Sequence, residues 1–294
     1  MKLGLFLGCT IPARVRQYEI STRRVAKELG IEFVDVEEFS CCGFPLKAAN
    51  YDTALLLAAR NLSLAEEKGL TELCTMCSAC TENLTEFANE LNEHEDIRNE
   101  VNKKLEPLGR KYNGTVRIRH ICRVLIDEIG FEGIQKSVTK PLDKLNVTAH
   151  FGCHYVRPSA IYNKFDDPEM PSSLKDLIRA TGANYVEHSN EMQCCGGGIL
   201  AVAEKISLAL SKDKLDRMKN AGADIICLVC PFCGVMYDAN QRSIEEEYQT
   251  EYKMPVLFYP QLLGLAMGIP SKELGLNLNV VKTKELVSSL ETAG

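Results

Sequence analysis

The sequence predicts an α/β protein made by internal duplication: two Rossmann-like half-domains, each a parallel sheet flanked by helices, related by a pseudo-twofold axis. Two observations carry this expectation. Cys41-Cys42-Gly43 recurs as Cys194-Cys195-Gly196, and adding 153 also carries Gly69 to Gly222 and Cys74, Cys77 and Cys80 to Cys227, Cys230 and Cys233. Seven chemically special residues thus keep register over forty positions without a gap, which is the mark of a repeat. The second observation is that apolar runs of strand length alternate with helix-patterned stretches, the signature of parallel sheets crossed by helices.

The elements follow in order. Leu5-Phe6-Leu7-Gly8-Cys9 matches Ala149-His150-Phe151-Gly152-Cys153, each a short apolar strand running out at a cysteine. The opening run superficially resembles a lipoprotein signal ending at Cys9, but its apolar stretch is shorter than the roughly 7–15 residues such a signal needs. A helix is expected over 18–29 and over 173–180, each closing near a glycine, Gly30 or Gly182, as helix C-termini favour. A second strand, 31–36 or 184–186, leads to the Cys-Cys pair. Another helix, 53–68 or 199–220, precedes a strand that enters the last cysteines, clearest at 224–230. Beyond them lie polar helical stretches, 82–105 and 236–248, then a strand and short helix at 115–129 and 255–267. The charged segment 89–111 reads as solvated helix. The polar stretch 137–146, which contains Pro141, is the expected boundary, so the halves are 1–145 and 146–294. Sites in parallel sheets collect at the carboxyl ends of strands. Cys9, Cys77, Cys153 and Cys230 all fall where a strand ends, so the cysteines are expected on one rim of each sheet.

With 294 residues, 45% hydrophobic and 25% charged, the composition is that of an ordinary globular protein. The net charge of −6 and the lack of a Lys/Arg block argue against nucleic acid as a partner. No run approaches the ~20 apolar residues of a membrane span, so direct membrane insertion is not expected. Thirteen cysteines are the outlier. Disulfide-dense chains are usually small and secreted. This chain is large, its count is odd, and two of its pairs are adjacent in sequence. Metal ligation in a reducing cytoplasm is the better reading.

The first half reads Cys9-x31-Cys41-Cys42-x34-Cys77-x2-Cys80 and the second Cys153-x40-Cys194-Cys195-x34-Cys230-x2-Cys233. Three metal readings compete. A structural zinc site takes four ligands in a tetrahedron, and neighbouring cysteines on an extended chain point apart, which suits one zinc ion poorly. An ordinary ferredoxin cubane takes Cys-x2-Cys-x2-Cys with a fourth Cys three residues on, followed by Pro. Cys74-Cys77-Cys80 and Cys227-Cys230-Cys233 begin that way, but the fourth Cys is absent and Pro231 sits inside the run. The third reading is a polynuclear cluster with more than four thiolates, since adjacent cysteines can reach different irons. Cys74 and Cys227 sit three residues before each Cys-x2-Cys pair, an offset that puts a strand side chain on the opposite face, and both read as core thiols. Cys122 has no counterpart and also reads as core.

This doubled pattern resembles the CCG-domain family, and within it the B subunits of the heterodisulfide reductases of methanogens. The resemblance covers nearly the whole chain. It implies two CCG half-domains, each binding a non-cubane 4Fe-4S cluster. The implied ligands are Cys9, Cys41, Cys42, Cys77 and Cys80 for one, and Cys153, Cys194, Cys195, Cys230 and Cys233 for the other. It further implies an oxidoreductase that reduces the mixed disulfide of coenzyme M and coenzyme B in methanogenesis. The implied partners are a separate ferredoxin-like subunit, which feeds electrons in, and a flavin-containing subunit of the same reductase. Other CCG proteins are electron-transfer subunits of dehydrogenases and quinone-linked reductases, which is the alternative.

Splitting a disulfide takes two electrons, and two clusters facing each other could each supply one. The implied substrate carries anionic ends that call for cations or helix N-termini. Arg14 and Arg16 after Cys9, Lys47 after Cys42, and Arg157 after Cys153 are the candidate substrate contacts. His154, next to Cys153, is the candidate proton donor to a product thiolate. Gly43, Gly196, Gly197 and Gly198 are expected to give the backbone room near the clusters.

Overall fold

The computed structural model describes residues 1–291. Two four-stranded, all-parallel sheets carry the chain. In the first, β1 (Lys2–Phe6), β2 (Glu32–Asp35), β3 (Glu72–Thr75) and β4 (Arg117–His120) lie in the order β2-β1-β3-β4. In the second, β5 (Asn146–His150), β6 (Asn184–Tyr185), β7 (Ile225–Leu228) and β8 (Val256–Phe258) lie in the order β6-β5-β7-β8. The register repeats too. Leu5 pairs with Cys74 as Ala149 pairs with Cys227, and Phe6 faces Thr75 as His150 faces Leu228. The chain is therefore a mixed α/β protein of two repeated halves.

The inner strands β1, β3, β5 and β7 are almost wholly buried, as expected where helices cover both faces of a parallel sheet. The edge strands β2 and β6 are short and partly exposed, which limits pairing with other chains. Helices Arg16–Glu28, Tyr51–Glu67 and Ser173–Ala180 fall close to the expected stretches. The helix expected over 199–220 starts only at Glu204, after a short 3-10 turn at Gly197–Ile199. Three consecutive glycines are poor helix formers and delay its start. The stretch 82–105 divides at His94 into helices Ser78–Glu93 and Glu95–Leu105. The first buries Leu84, Phe87, Ala88 and Leu91 along one side. The second meets solvent on most faces and buries only Val101 and Leu105.

The halves pack through their fourth strands. Tyr18 of the first half stacks on Phe258 at the end of β8, with ring centroids 4.0 Å apart. Tyr155 of the second half meets His120 at the end of β4 edge-on, at 5.2 Å. Two first-half donors, the Tyr18 hydroxyl (3.3 Å) and His120 Nε2 (2.8 Å), converge on the carbonyl of Val229, one residue before Cys230. His120 Nδ1 accepts from the Cys122 N–H, which leaves Nε2 as the donor. Arg123 completes the join by donating to the Tyr155 carbonyl at 2.6 Å while its guanidinium lies over the Tyr162 and Phe165 rings.

Candidate metal centre

Each half builds its cysteines onto the same three places. Cys9 and Cys153 follow the first strands β1 and β5. The Cys-Cys pairs sit on the loops after β2 and β6, just ahead of the 3-10 turns Phe44–Leu46 and Gly197–Ile199. Cys77 and Cys230 occupy the N-caps of the helices that leave β3 and β7, and Cys80 and Cys233 lie three residues on, on the same face. Pro231 takes the first helical position, where its missing N–H costs nothing.

The ten thiols form one continuous row. Cys9 neighbours Cys41, Cys41 neighbours Cys42, Cys42 neighbours Cys80, and Cys80 neighbours Cys77. Cys77 meets Cys230 of the other half. From there the order runs back as Cys233, Cys195, Cys194 and Cys153. The row is palindromic, and Cys77–Cys230 is its midpoint. Cys74, Cys227 and Cys122 stay outside it, in the interior of the molecule.

Thiols this close titrate together. Cys42, Cys194 and Cys230 are driven toward thiolate by the hydrogen bonds they accept from the thiols beside them, Cys194 down to about 2. The donors are pushed up, Cys195 to about 12. Backbone N–H groups add to the sulfur acceptors: Gly43 to Cys41 (3.5 Å), Gly196 to Cys194 (3.3 Å) and Gly197 to Cys195 (3.4 Å). Gly8 holds a positive φ, and a Cβ there would stand 2.9 Å from Cys80 Sγ. Such a bare backbone beside a sulfur leaves room for a bulky inorganic group. Five thiols per half exceed the four of a tetrahedral zinc site. The donor set fits a polynuclear iron–sulfur group, whose cationic irons stabilise thiolates that otherwise repel one another.

The glycines of the two Cys-Cys-Gly motifs have a sharper role than room alone. Gly43 (φ 96°) and Gly196 (φ 80°) are left-handed, and a Cβ would lie 2.6 Å from the Ala54 carbonyl oxygen or 2.8 Å from that of Ser207. They let the cysteine loop press on the following helix. A Cβ on Gly197 would touch Cys195 Sγ at 3.3 Å, whereas one on Gly198 would meet open space.

Other candidate residues are placed unevenly. His154 sits between the halves, with its ring edge-on to Phe44 at 4.8 Å and Nδ1 3.7 Å from Glu82 Oε2. Burial lowers its pKa. Lys47 is held by Glu82 at 3.0 Å and Glu86 at 2.6 Å. Burial and the Glu86 contact push Glu82 up to about 7. Arg157 pairs with Glu169 and donates to the Pro168 carbonyl. Arg14 and Arg16 are exposed, on the short helix after Cys9 and at the start of the next. Sequence reasoning missed four residues. Besides Glu82 they are His150, whose Nε2 lies 3.1 Å from Cys233 Sγ, the buried Lys214, and Tyr237. The signal for the last three was a comparison of the halves at fixed register, where each replaces a residue of different polarity.

A repeated cysteine-rich α/β fold with this thiol row defines a class of metal-binding redox protein. The comparisons make it specific: the CCG cysteine-rich domain matches residues 3–85 and again 147–238. The chain belongs to the CCG cysteine-rich domain family. It is 36% identical to the B subunit of the ferredoxin/F420H2-dependent CoB-CoM heterodisulfide reductase of Methanosarcina acetivorans, over 98% of this chain and 97% of that one. It is 32% identical to the 8-methylmenaquinol:fumarate reductase membrane anchor subunit of Wolinella succinogenes, over 97% and 99%. A solved hypothetical protein from Helicobacter pylori shares the fold with a TM-score of 0.77 at 20% identity, covering 96% of this chain and 52% of that one. Among the described residues no helix is long and apolar enough to cross a membrane.

Proposed function

We propose that the chain is the catalytic subunit of a heterodisulfide reductase, working in the cytoplasm on the mixed disulfide of coenzyme M and coenzyme B. The observation that carries this reading is the palindromic row of ten thiols, five from each half, meeting at Cys77 and Cys230. The relative from Methanosarcina acetivorans, named as the B subunit of such an enzyme, supports it. Cys9, Cys41, Cys42, Cys77 and Cys80 would hold one non-cubane 4Fe-4S cluster in half 1–145. Cys153, Cys194, Cys195, Cys230 and Cys233 would hold the other in half 146–294. The identical strand orders support a pseudo-twofold axis between two Rossmann-like halves.

When bound, the two clusters would supply the two electrons that cleave the sulfur–sulfur bond, one each. The balance then needs two protons to give two thiols. His154, standing between the halves beside Glu82, is the proposed proton donor to one product thiolate, and the other thiolate takes its proton from solvent on release. Phe44, Pro45, Pro231 and Phe232 wall the pocket at Cys9, Cys42 and Cys77, so residues of both halves exclude water there. Arg14 and Arg16 are exposed cations free to meet an anionic substrate tail. Lys47 and Arg157 would do so only in exchange for their carboxylate partners. The proposed partners are the ferredoxin-like and the flavin-containing subunits of the same reductase. The Wolinella relative favours a second reading, an electron-transfer subunit of a quinone-linked reductase.

Anaerobic iron and acid-labile sulfide analysis tests the cofactor, with about eight irons per chain expected for two four-iron clusters. Turnover assays decide the rest. Reduction of the mixed disulfide supports the first reading, quinone-linked turnover alone supports the second, and two zinc ions per chain would defeat both.

A further inference from the structure

At three pairs of equivalent positions around the two thiol sets, the second half carries the donor or the charge. At the end of the first strand, facing Thr75 or Leu228 in matched register, stand Phe6 in one half and His150 in the other. Adding 153 carries Leu84 to Tyr237 and Asn61 to Lys214. All six side chains are fully or almost fully buried. In the first half the positions are apolar or neutral. Phe6 packs on Phe39, and Asn61 is used up by the Cys41 carbonyl and the Ser40 N–H.

In the second half each position brings a donor or a charge. His150 Nε2 lies 3.1 Å from Cys233 Sγ. A ligating sulfur can only accept, so Nε2 carries the proton, and Nδ1 has no partner. Tyr237 packs edge-on to His150 at 4.9 Å, and its buried hydroxyl has no hydrogen-bond partner although the thiols of Cys195 and Cys233 bear on it. A buried O–H without an acceptor is costly, and an inorganic sulfide or thiolate in the site would satisfy it. Lys214 Nζ donates to the Glu191 and Gln193 carbonyls just before Cys194, and its charge acts on Cys233 and Cys195. Exposure does not offset this, since each set has one exposed and one half-buried cysteine.

We propose that the halves hold iron–sulfur centres of unequal potential, and that His150, Tyr237 and Lys214 make the second-half centre the one reduced first. Hydrogen bonds to cluster sulfurs and nearby positive charge stabilise the reduced, more negative state. This inference rests on the proposed function, because it needs a centre in each half.

The test is an anaerobic potentiometric titration of the iron-loaded full chain, followed by electron paramagnetic resonance. Two midpoints are expected. H150F, which installs the first-half residue, should lower the upper midpoint by about tenfold in its one-electron equilibrium, ~59 mV, and leave the lower one in place. Y237F, which removes a single oxygen, should lower the same midpoint less, and H150Q, which keeps an N–H donor, should restore most of it. F6H should raise the lower midpoint. Two centres whose midpoints ignore H150F and Y237F, or a shift in the lower midpoint alone, would overturn the asymmetry while disulfide turnover stands. A chain that loads zinc would overturn it together with the proposed function.

Discussion

In the first half the long approach from Cys9 to the Cys-Cys pair spans 31 residues; in the second, from Cys153, it spans 40. The gap from each pair to the Cys-x2-Cys that starts at Cys77 or Cys230 is 34 in both. The extra length is not idle loop. Residues 154–172 of the second half reach over the first, where Arg123 sits among Tyr155, Tyr162 and Phe165 and the short turn Ser159–Tyr162 lies near helix Ser78–Glu93. Asp166 braces the excursion by accepting from the N–H groups of Asp167, Ser172 and Ser173. The first half meets the second through helix Arg16–Glu28 instead, where Tyr18 stacks on Phe258 and Arg24 pairs with Glu273. The spacing that fixes the thiols is thus kept, while the spacing free to vary joins the halves and makes the pair asymmetric.

The largest effect expected is on the midpoint of the thiol row. Cys77→Ser and Cys230→Ser remove equivalent proposed ligands from the two proposed centres, and each should cost about half of the bound iron if the centres assemble independently. Metal analysis of both variants checks this. Loss of nearly all iron from either one would show instead that the second centre depends on the first across the Cys77–Cys230 contact. Tyr18→Ala removes the ring stacked on Phe258 and the donor to Val229. A fully buried aromatic truncated to Ala costs ~3–5 kcal/mol, so chemical denaturation of the loaded chain should show a loss of that order. If the halves fold without support from each other, the loss would fall well below it.

How far the sequence carried the fold follows from what repeats. The recurrence of Cys41-Cys42-Gly43 exposed the duplication, and the apolar runs ahead of Cys9, Cys77, Cys153 and Cys230 put those four just past strand ends. What escaped notice lay where the copies differ. His150 reads as one more polar residue beside an apolar run until β5 is laid on β1 and it falls on Phe6. Lys214 sits in a charged helix and looks solvated, yet it is fully buried under the Cys-Cys loop. Periodicity cannot show that, because the loop covering it folds back from outside the helix. Arg157 and Lys47 look like free cations in sequence, and their partners Glu169 and Glu82 become neighbours only in the fold.

The join between halves should be sensitive to acid on one side only. His120 is fully buried, and burial lowers its pKa to about 4, while its counterpart at the end of β8 is Phe258. A folded-state pKa below the unfolded value of ~6.5 means that the unfolded chain binds the proton first. Stability is therefore intact above pH ~6.5 and falls as the pH drops toward 4. The loss from this one group is on the order of 3 kcal/mol. His120→Phe should flatten that part of the pH profile relative to the parent chain, measured by denaturant unfolding at pH 7, 5.5 and 4.5. Parallel profiles would mean that the acid sensitivity lies elsewhere, for example with His188, whose pKa burial also lowers to about 4.

The smallest effects expected come from the glycines, and they should come as a matched pair with a built-in control. Gly43→Ala and Gly196→Ala each force an L-residue into left-handed backbone and drive a Cβ to 2.6 Å or 2.8 Å from a helix carbonyl oxygen. The conformational part alone costs ~1–3 kcal/mol. The carbonyls belong to Ala54 and Ser207, inside helices Tyr51–Glu67 and Glu204–Asn220, which cannot yield without moving a whole turn. Gly198→Ala meets open space and has no positive φ, so it should change stability by less than ~0.5 kcal/mol. Thermal unfolding of the three loaded variants separates two accounts of the motif. Equal losses at 43 and 196 with none at 198 mean that the glycine sets how closely the cysteine loop meets its helix in both halves. A loss confined to Gly196 would mean that the first-half loop relaxes, and that the cover supplied by residues 154–172, rather than the glycine, holds Cys41 and Cys42 in place.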